Sequence, residues 1–300
     1  GLSAALLIAT RRPLARKLVA LVAASVVVGA LPVRLVAPGW PPSGWVMVLC
    51  AVGQGDAAVL PVGPGQAVVV DAGPEPAAVD RCLRRLGVDR GPLVVVSHFH
   101  ADHVNGIDGV LRGRRVDMVV VPPWAEPEAG RAIVQRAVAT HRARLSEASA
   151  GWTYRFGQVE LVALGPSHPM RGTRSDPNNN SLVLKARVAG VSVLLAGDAE
   201  NDEQQALLER PGPAGLRADV LKVAHHGSAY QEPRFLDAVD PAVALVPVGR
   251  DNGYGHPSPH VLDRLSRGGA RVLRTDLDGD LAVLRVGDGL AVAARGLDPG

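Results

Sequence analysis

The most constraining feature of this chain is a run of ligand-type side chains at residues 97–103, Ser-His-Phe-His-Ala-Asp-His, directly after four apolar residues typical of a short buried strand. Alternate side chains of an extended backbone share a side, so His98 and His100 can point the same way. Asp102 and His103 follow on a tight loop and can face a second point. Imidazoles with a carboxylate suit Zn²⁺, and also Mn²⁺ or iron. The alternative, a polar surface loop rich in histidine, is disfavoured because three of the nine histidines lie here.

This His-x-His-x-Asp-His run resembles the signature of the metallo-β-lactamase fold, and other motifs stand in the order of that fold: Val70–Gly73, Leu194–Asp198 and Lys222–Ser228. Three more narrow the resemblance to the C-terminal domain of the ComEC family, the channel proteins of bacterial DNA uptake: Val52–Asp56, Asn178–Leu184 and Tyr254–Pro257. The resemblance covers roughly residues 45–295. It implies an αββα sandwich, whereas periodicity alone predicts only an α/β fold with strands alternating with helices in two halves.

The resemblance implies two divalent metal ions, Zn or Mn. We expect His98 and His100 to bind the first ion, and Asp198 to bridge both, because a carboxylate has two oxygens with free lone pairs. An ordinary turn before a helix is the alternative for Asp198. For the second ion we expect three ligands, which are Asp102, His103 and His225.

Several further residues are expected around the ions. His226 alternates in direction with His225 if the backbone is extended, so we expect it behind the ligands or facing the substrate. Asp56 and Asp71 are expected to orient ligands from behind, and capping of the following helix is an equal alternative for Asp71. Among residues acting on the substrate, we expect Asp102 to hold the nucleophile. We expect His256 to donate a proton or to bind phosphate. Two further side chains are expected to form hydrogen bonds with phosphate, namely Asn180 and Ser228.

Two positions depart from the family pattern. Metallo-β-lactamases generally supply a third histidine to the first ion from a loop opening the second half, where this chain has three asparagines at residues 178–180. ComEC domains resemble the chain in this respect. His168 lies nearby but could substitute only by an irregular path. We therefore expect the first site to be weak, or to prefer Mn²⁺. The second departure is Ala51, where the family has aspartate.

The bulk composition limits how nucleic acid can be bound. Residues 1–44 contain five basic and no acidic residues, which leaves 27 basic against 29 acidic side chains in residues 45–300, a net charge of about −2. An extended basic footprint is therefore absent from that part. Two cysteines, Cys50 and Cys82, share no close spacing. We favour two buried thiols, with a disulfide as the alternative.

The N-terminal residues differ in composition from the rest of the chain. Residues 18–33 contain no charge and would extend about 24 Å as a helix, slightly short of the ~30 Å hydrocarbon core. We interpret residues 1–37 as the end of one membrane helix, a basic loop and a last transmembrane helix. Residues 38–44 are then a linker and residues 45–300 the metallo-β-lactamase-like domain. The positive-inside rule places that domain on the outer face of a multi-pass membrane protein. A signal peptide and a buried helix are the alternatives.

These interpretations predict a metal-dependent hydrolase. The favoured activity is a phosphodiesterase or nuclease acting on DNA during uptake, by metal-activated attack of water on phosphorus. Its partners would be DNA, the membrane channel portion of the same longer protein and other uptake-machinery proteins. Two alternatives stay open: a hydrolase of small esters, lactones or thioesters, and a non-catalytic domain that gates the DNA channel.

Overall fold

The computed structural model describes residues 39–297, together with Lys17, Val19 and Leu21. The predicted membrane segment at residues 1–37 lies almost entirely outside these residues. Within the described part, no helix is long and apolar enough to cross a bilayer. The chain divides into two compact units, Gly1–Pro42 and Ser43–Gly300, and only the second is described below.

The strands of residues 39–297 form two sheets. In chain order they are β1 Trp45–Leu49, β2 Ala58–Gly63, β3 Gln66–Val70, β4 Arg90–Val95, β5 Arg115–Val121, β6 Arg144–Glu147, β7 Thr153–Phe156, β8 Val159–Gly165, β9 Val183–Val188, β10 Val191–Leu195, β11 Val220–Lys222, β12 Val243–Val246, β13 Arg271–Arg274, β14 Leu281–Val286 and β15 Gly289–Ala294. One sheet has the order β15-β14-β1-β2-β3-β4-β5-β6, and the other β13-β12-β11-β10-β9-β8-β7.

The helices of the described part are mostly short. They are α1 Pro76–Arg85, α2 Ala101–Val104, α3 Ile107–Leu111, α4 Glu128–His141, α5 Asp176–Asn179, α6 Asn201–Glu209, α7 Pro213–Leu216, α8 Pro233–Val239, α9 Pro259–Arg267 and α10 Thr275–Asp278, with a 3-10 turn at Ala224–Gly227. Helix α4 ends at His141, because Arg142 adopts a left-handed conformation and Arg144 begins β6.

The two sheets pack face to face. One buried cluster joins inner-face residues of both sheets, for example Leu49 and Val95 of the first with Leu195 and Leu245 of the second. A second buried cluster joins the outer face of the second sheet to its helices, including Phe235 of α8. Strands buried on both faces need helices on the outside. The predicted αββα sandwich is therefore confirmed for the described residues.

The topology brings several strand ends to one edge of the sandwich. Strands β3, β4, β5 and β6 pair in parallel in the first sheet, and β10, β11, β12 and β13 in the second. The carboxyl ends of parallel strands share an edge, and in open α/β sheets that edge carries the ligand site. Residues 71, 97–103, 198 and 224–227 follow β3, β4, β10 and β11 at this edge.

The cysteine prediction was wrong. Cys50 and Cys82 form a disulfide, with their Cα atoms 6.0 Å apart, inside the range that a disulfide spans. Cys50 directly follows β1 and Cys82 lies on the buried face of α1. Their 32-residue separation carried no signal, since the fold alone brings the end of β1 against α1.

Candidate metal centre

The loop that follows β4 presents its first two histidines to one point. The Nε2 atom of His98 lies 3.0 Å from the Nδ1 atom of His100. His98 is buried and His100 is partly exposed. Burial lowers the pKa of both imidazoles, that of His98 well below its usual range. Both rings are therefore neutral near pH 7, which is the state that binds a metal ion. We call these two residues the histidine pair.

Asp71 at the end of β3 fixes the loop from behind. Its Oδ1 accepts a hydrogen bond from the Ser97 backbone N–H at 2.7 Å, and its Oδ2 accepts from the Ser97 hydroxyl at 2.7 Å. The same Oδ2 lies 3.0 Å from Nδ1 of His103, which leaves Nε2 of that ring facing the site. The Ser97 hydroxyl also lies 3.1 Å from Nδ1 of His98. Sequence reasoning did not single out Ser97.

Four buried side chains converge beside the histidine pair. Each of Asp56, His103, Asp198 and His226 offers a ligand atom, and these atoms lie within 4.8 Å of one another. We call them the four-residue group. Nε2 of His103 lies 3.3 Å from Oδ1 of Asp198, and Nε2 of His226 lies 3.5 Å from Oδ2. Within the described residues, His103 Nε2 and Asp198 Oδ1 are buried without a hydrogen-bond partner. Two imidazoles, two carboxylates and such orphaned atoms fit a divalent cation.

Asp102 joins this group from the cavity side. Its Oδ2 lies 2.9 Å from Nε2 of His226 and 3.7 Å from Nε2 of His103. Unlike the four buried residues, it is about one-third exposed. Asp198 faces the histidine pair as well, with its Oδ2 3.9 Å from Nε2 of His98. The structure thus brings the expected bridging carboxylate between both sets.

The histidines that follow β11 exchange their expected places. Both adopt a left-handed backbone, with φ of 47° at His225 and 53° at His226, so the alternation of an extended strand does not apply. His226 enters the four-residue group, and its Nδ1 lies 2.9 Å from the Pro247 carbonyl. Nε2 of His225 lies 3.9 Å from Asp198 Oδ2, while its Nδ1 lies 3.0 Å from Glu200 Oε1.

Glu200 organises the side of the site that borders the asparagines at residues 178–180. It is buried, and its Oε1 also accepts a hydrogen bond from Asn178 Nδ2 at 3.0 Å. Its Oε2 lies 3.2 Å from Nε of Arg174, whose guanidinium stacks 3.3 Å over the ring centroid of Tyr230. Sequence reasoning missed Glu200, because its position directly before α6 and five residues after the end of β10 gave no distinct signal.

Comparisons with known proteins support the same fold and family. The family model "Metallo-beta-lactamase superfamily" matches residues 51–249. The chain belongs to the metallo-β-lactamase superfamily. Among solved structures, it resembles the diiron β-hydroxylase CmlA from Streptomyces venezuelae (TM-score 0.53, 18% identity, 81% of this chain and 55% of that chain). It also resembles Zn²⁺-bound PqqB from Methylobacterium extorquens (TM-score 0.51, 9% identity, 76% of this chain and 97% of that chain). At such identities these likenesses concern the fold alone.

Curated relatives of this metallo-β-lactamase-superfamily chain carry competence names. It is 30% identical to ComE operon protein 3 of Bacillus subtilis (strain 168) over 65% of this chain and 25% of the relative. It is 29% identical to competence protein ComA of Neisseria gonorrhoeae over 66% of this chain and 26% of the relative. The chain thus spans about a quarter of the length of these relatives. The likeness supports the predicted ComEC-type metallo-β-lactamase domain.

The charges of the four-residue group are balanced by protons and one lysine. Burial opposes ionisation of Asp198, but His103 and His226 outweigh it and hold the pKa of Asp198 well below its usual range. Burial also lowers the pKa of His226, but Asp198 and Asp102 raise it to about 10. The buried Lys222 ammonium contacts Asp56 and donates to the Gly197 carbonyl at 2.7 Å. An incoming cation therefore displaces protons from this group.

A cavity of about 510 Å³ opens over the site. Its walls include Asp102, Asp198 and His226, and His256 and Tyr254 stand at one side. The His256 ring centroid lies 5.2 Å from that of His225. Burial and the two neighbouring imidazoles lower the pKa of His256 to about 4. The structure thus brings His256 to the cavity, as its predicted contact with substrate requires.

Two other expectations differ from the observed positions. Asn180 is buried, with its amide tied to the backbone of Met170 and Asp176, and Asn178 lines the cavity instead. Ser228 is buried, and its hydroxyl accepts from the Tyr230 N–H at 3.3 Å. Neither Asn180 nor Ser228 is therefore placed to bind phosphate. Where the family's aspartate is replaced by Ala51, the Ala51 N–H donates to Asp280 Oδ1 at 2.8 Å.

Proposed function

We propose that this chain is the hydrolytic domain of a DNA-uptake protein, a divalent-metal-dependent phosphodiesterase that acts on DNA at the outer face of the membrane. The observation that carries the proposal is the buried four-residue group beneath an open cavity. The chain's superfamily membership and its competence-named relatives support the hydrolase class and the uptake context.

The residues of the site have complementary roles in this reaction. His103 and His226 would hold a divalent ion together with Asp198 and Asp56. The ion would supply Lewis acidity toward a phosphoryl oxygen and would activate water near neutral pH. Asp102 stands at the cavity wall, where its carboxylate orients the attacking water and accepts a proton.

The opposite wall serves the phosphate and the leaving group. Asn178 presents an amide toward the cavity while Glu200 holds it. His225 and His256 stand at the same wall. His256 is neutral near pH 7, so it carries one N–H that can donate a hydrogen bond to a phosphate oxygen.

The disulfide supports an extracytoplasmic location. Disulfides form and persist in oxidising compartments and are rare in the cytosol of mesophiles. The Cys50–Cys82 bond ties β1 to α1 beside the loop that carries Asp56. This agrees with a domain anchored on the outer face by the predicted membrane segment.

One alternative activity has an observation in its favour. The net charge of about −2 over residues 45–300 would suit a small ester, lactone or thioester better than a long polyanion. A purely gating domain has less support, since the carboxylates and imidazoles of the four-residue group are all present.

Cleavage assays separate these functions. The full chain, stripped of metal and resupplied with Mn²⁺ or Zn²⁺, is incubated with single-stranded DNA, duplex DNA, a lactone and a thioester. We expect metal-dependent cleavage of DNA that is lost in Asp198→Asn and kept in the control Asp240→Asn, whose carboxylate pairs with Arg217 on the surface. Turnover of the esters alone would contradict a DNA substrate. Inactivity on every substrate with bound metal would favour the gating role.

A further inference from the structure

The loop between β12 and α9 carries an unusually exposed aromatic ring at the site. Tyr254 is 73% exposed, more than any other large hydrophobic side chain of the described residues. It lines the metal cavity, and its ring lies parallel to that of His256, with 5.9 Å between centroids and 9° between planes. A flat apolar face left in water beside a cavity is suited to stacking a base.

The loop is fixed in place before any ligand binds. The Asn252 side chain donates to the carbonyls of Gly249 and His256, at 2.9 and 3.0 Å, and accepts from the His256 N–H at 3.2 Å. A β-carbon at Gly249 would come within 2.6 Å of the Gln54 backbone nitrogen, so the two loops approach as closely as glycine permits. The Gly249 N–H donates to Gln54 Oε1 at 3.0 Å. The Tyr254 platform is therefore preorganised.

A second cavity adjoins the metal cavity across this contact. It measures about 260 Å³ and is lined by Gly53 and Gly249, whereas Gln54 lines the metal cavity. Three arginines line it, Arg81 and Arg85 of α1 and Arg250 of the loop. Within residues 39–297, Arg81 and Arg250 have no ion-pair partner, so their charges are available to an anion. We call this cavity the arginine pocket.

The acids of the arginine pocket are already neutralised. Asp280 lies 3.4 Å from a guanidinium nitrogen of Arg85 and also accepts the Ala51 N–H. Asp276 receives two hydrogen bonds from Arg274, at 3.0 and 2.6 Å. The two unpaired arginines thus give the pocket a local positive charge in a domain whose net charge is about −2.

We propose that the Tyr254 face and the arginine pocket together bind a short stretch of unpaired polynucleotide. Tyr254 stacks a base next to the scissile phosphate, and Arg81 and Arg250 each bind a separate backbone phosphate nearby. A base can cover this ring only if it leaves its own stack, which a duplex resists. The site is therefore selective for a single strand. The inference rests on the proposed phosphodiesterase function and adds that its DNA substrate is single-stranded.

Binding of a labelled oligonucleotide tests this independently of cleavage. The full chain in EDTA is titrated into a fluorescein-labelled 12-mer and into its duplex, and anisotropy is recorded at several salt concentrations. We expect tighter binding of the single strand. Tyr254→Ala should weaken it about tenfold, while Tyr254→Phe, which keeps the stacking face, stays within about twofold.

The arginines have a separate signature in the salt dependence. Each of Arg81→Ala and Arg250→Ala should lower the slope of log K against log salt by about 0.7, as expected for one phosphate of a single strand. Two matched controls lie away from the site, Phe156→Ala on the edge strand β7 and Arg217→Ala, and both should leave affinity and slope unchanged. A purely structural role for Arg81 or Arg250 would not alter the slope.

The outcomes separate this inference from the proposed function. Equal binding of single strand and duplex, or unchanged affinity in Tyr254→Ala together with unchanged slopes in both arginine variants, overturns the inference even if the chain cleaves DNA. Selective single-strand binding that depends on these residues, in a chain that cleaves no DNA, supports the inference and overturns the nuclease activity.

Discussion

The two halves of the metal centre are held in different ways. The histidine pair comes from one loop, and among the described carboxylates Asp198 comes within 4 Å of it, 3.9 Å from His98. The four-residue group draws its members from four separate segments of the chain and is buried throughout. A short local motif thus supplies two neutral imidazoles with few other ligand-type side chains nearby. The assembled fold supplies a compact, charged set of ligands. We expect the group to bind an ion more tightly than the pair.

Removing the carboxylate that faces both halves should have the largest effect on activity and on metal content. Asp198→Asn keeps the shape of the side chain and removes its charge. We expect activity and metal content to fall by more than the roughly 10–100-fold that loss of an outer-sphere partner costs. Metal analysis of the dialysed variant, beside Asp240→Asn as control, measures this. Full metal content in Asp198→Asn would show that the two halves do not share this residue.

The adjacent histidines give the next largest contrast. His226→Gln removes a member of the four-residue group and should lower the affinity of the tighter ion by more than about 100-fold. His225→Gln removes a ring held by Glu200 at the cavity wall and should lower that affinity by about tenfold or less. Isothermal titration with Mn²⁺ compares them. The reverse order would restore the sequence-based choice of His225.

Ser97 touches both halves, so its loss tests their common support. Its hydroxyl donates to Asp71 and lies next to the His98 ring. Ser97→Ala removes these contacts without removing a ligand, and we expect metal affinity to fall about 10-fold at both sites. Ser192→Ala, which removes an exposed hydroxyl bonded to Asp219, is the control. A loss confined to one ion would show that Asp71 alone supports the other.

The pH dependence of metal binding should also differ between the two halves. His226 has a pKa of about 10 in the folded chain against an ordinary 6.5, so a cation must displace its proton. Affinity for the tighter ion should rise about tenfold per pH unit between pH 6 and 8 for each displaced proton. Burial lowers the pKa of both imidazoles of the histidine pair, so affinity for the weaker ion should change less over this range. Titrations in buffers of different ionisation heat count the protons.

The same pKa shift predicts how the metal-free chain responds to pH. Because the folded-state pKa of His226 is above its unfolded value, its proton stabilises the fold fully below about pH 6.5. This contribution is lost as the pH rises toward 10. Thermal unfolding of the stripped chain at pH 6 and pH 9 measures the difference, and added metal should reduce it.

Spacing along the chain predicted what lies within one loop. His98, His100 and the alternation of the strand before them were enough to place the pair, and the order of motifs predicted that Asp198 and His103 would meet. The structure groups His226 rather than His225 with the buried carboxylates, because two successive left-handed residues replace the extended backbone. The disulfide, the contacts of Glu200 and the presence of Asn178 rather than Asn180 at the cavity all depend on contacts between distant segments. Local sequence patterns do not encode such contacts.

A manganese titration of the full chain tests the central claim most directly. The stripped wild type is titrated with Mn²⁺ beside His98→Gln and His226→Gln, and free Mn²⁺ is followed by its electron paramagnetic resonance signal. We predict one tight ion that survives His98→Gln and is lost in His226→Gln. Loss of the tight ion in His98→Gln with retention in His226→Gln, or no bound ion in the wild type, would contradict a metal centre built on the four-residue group.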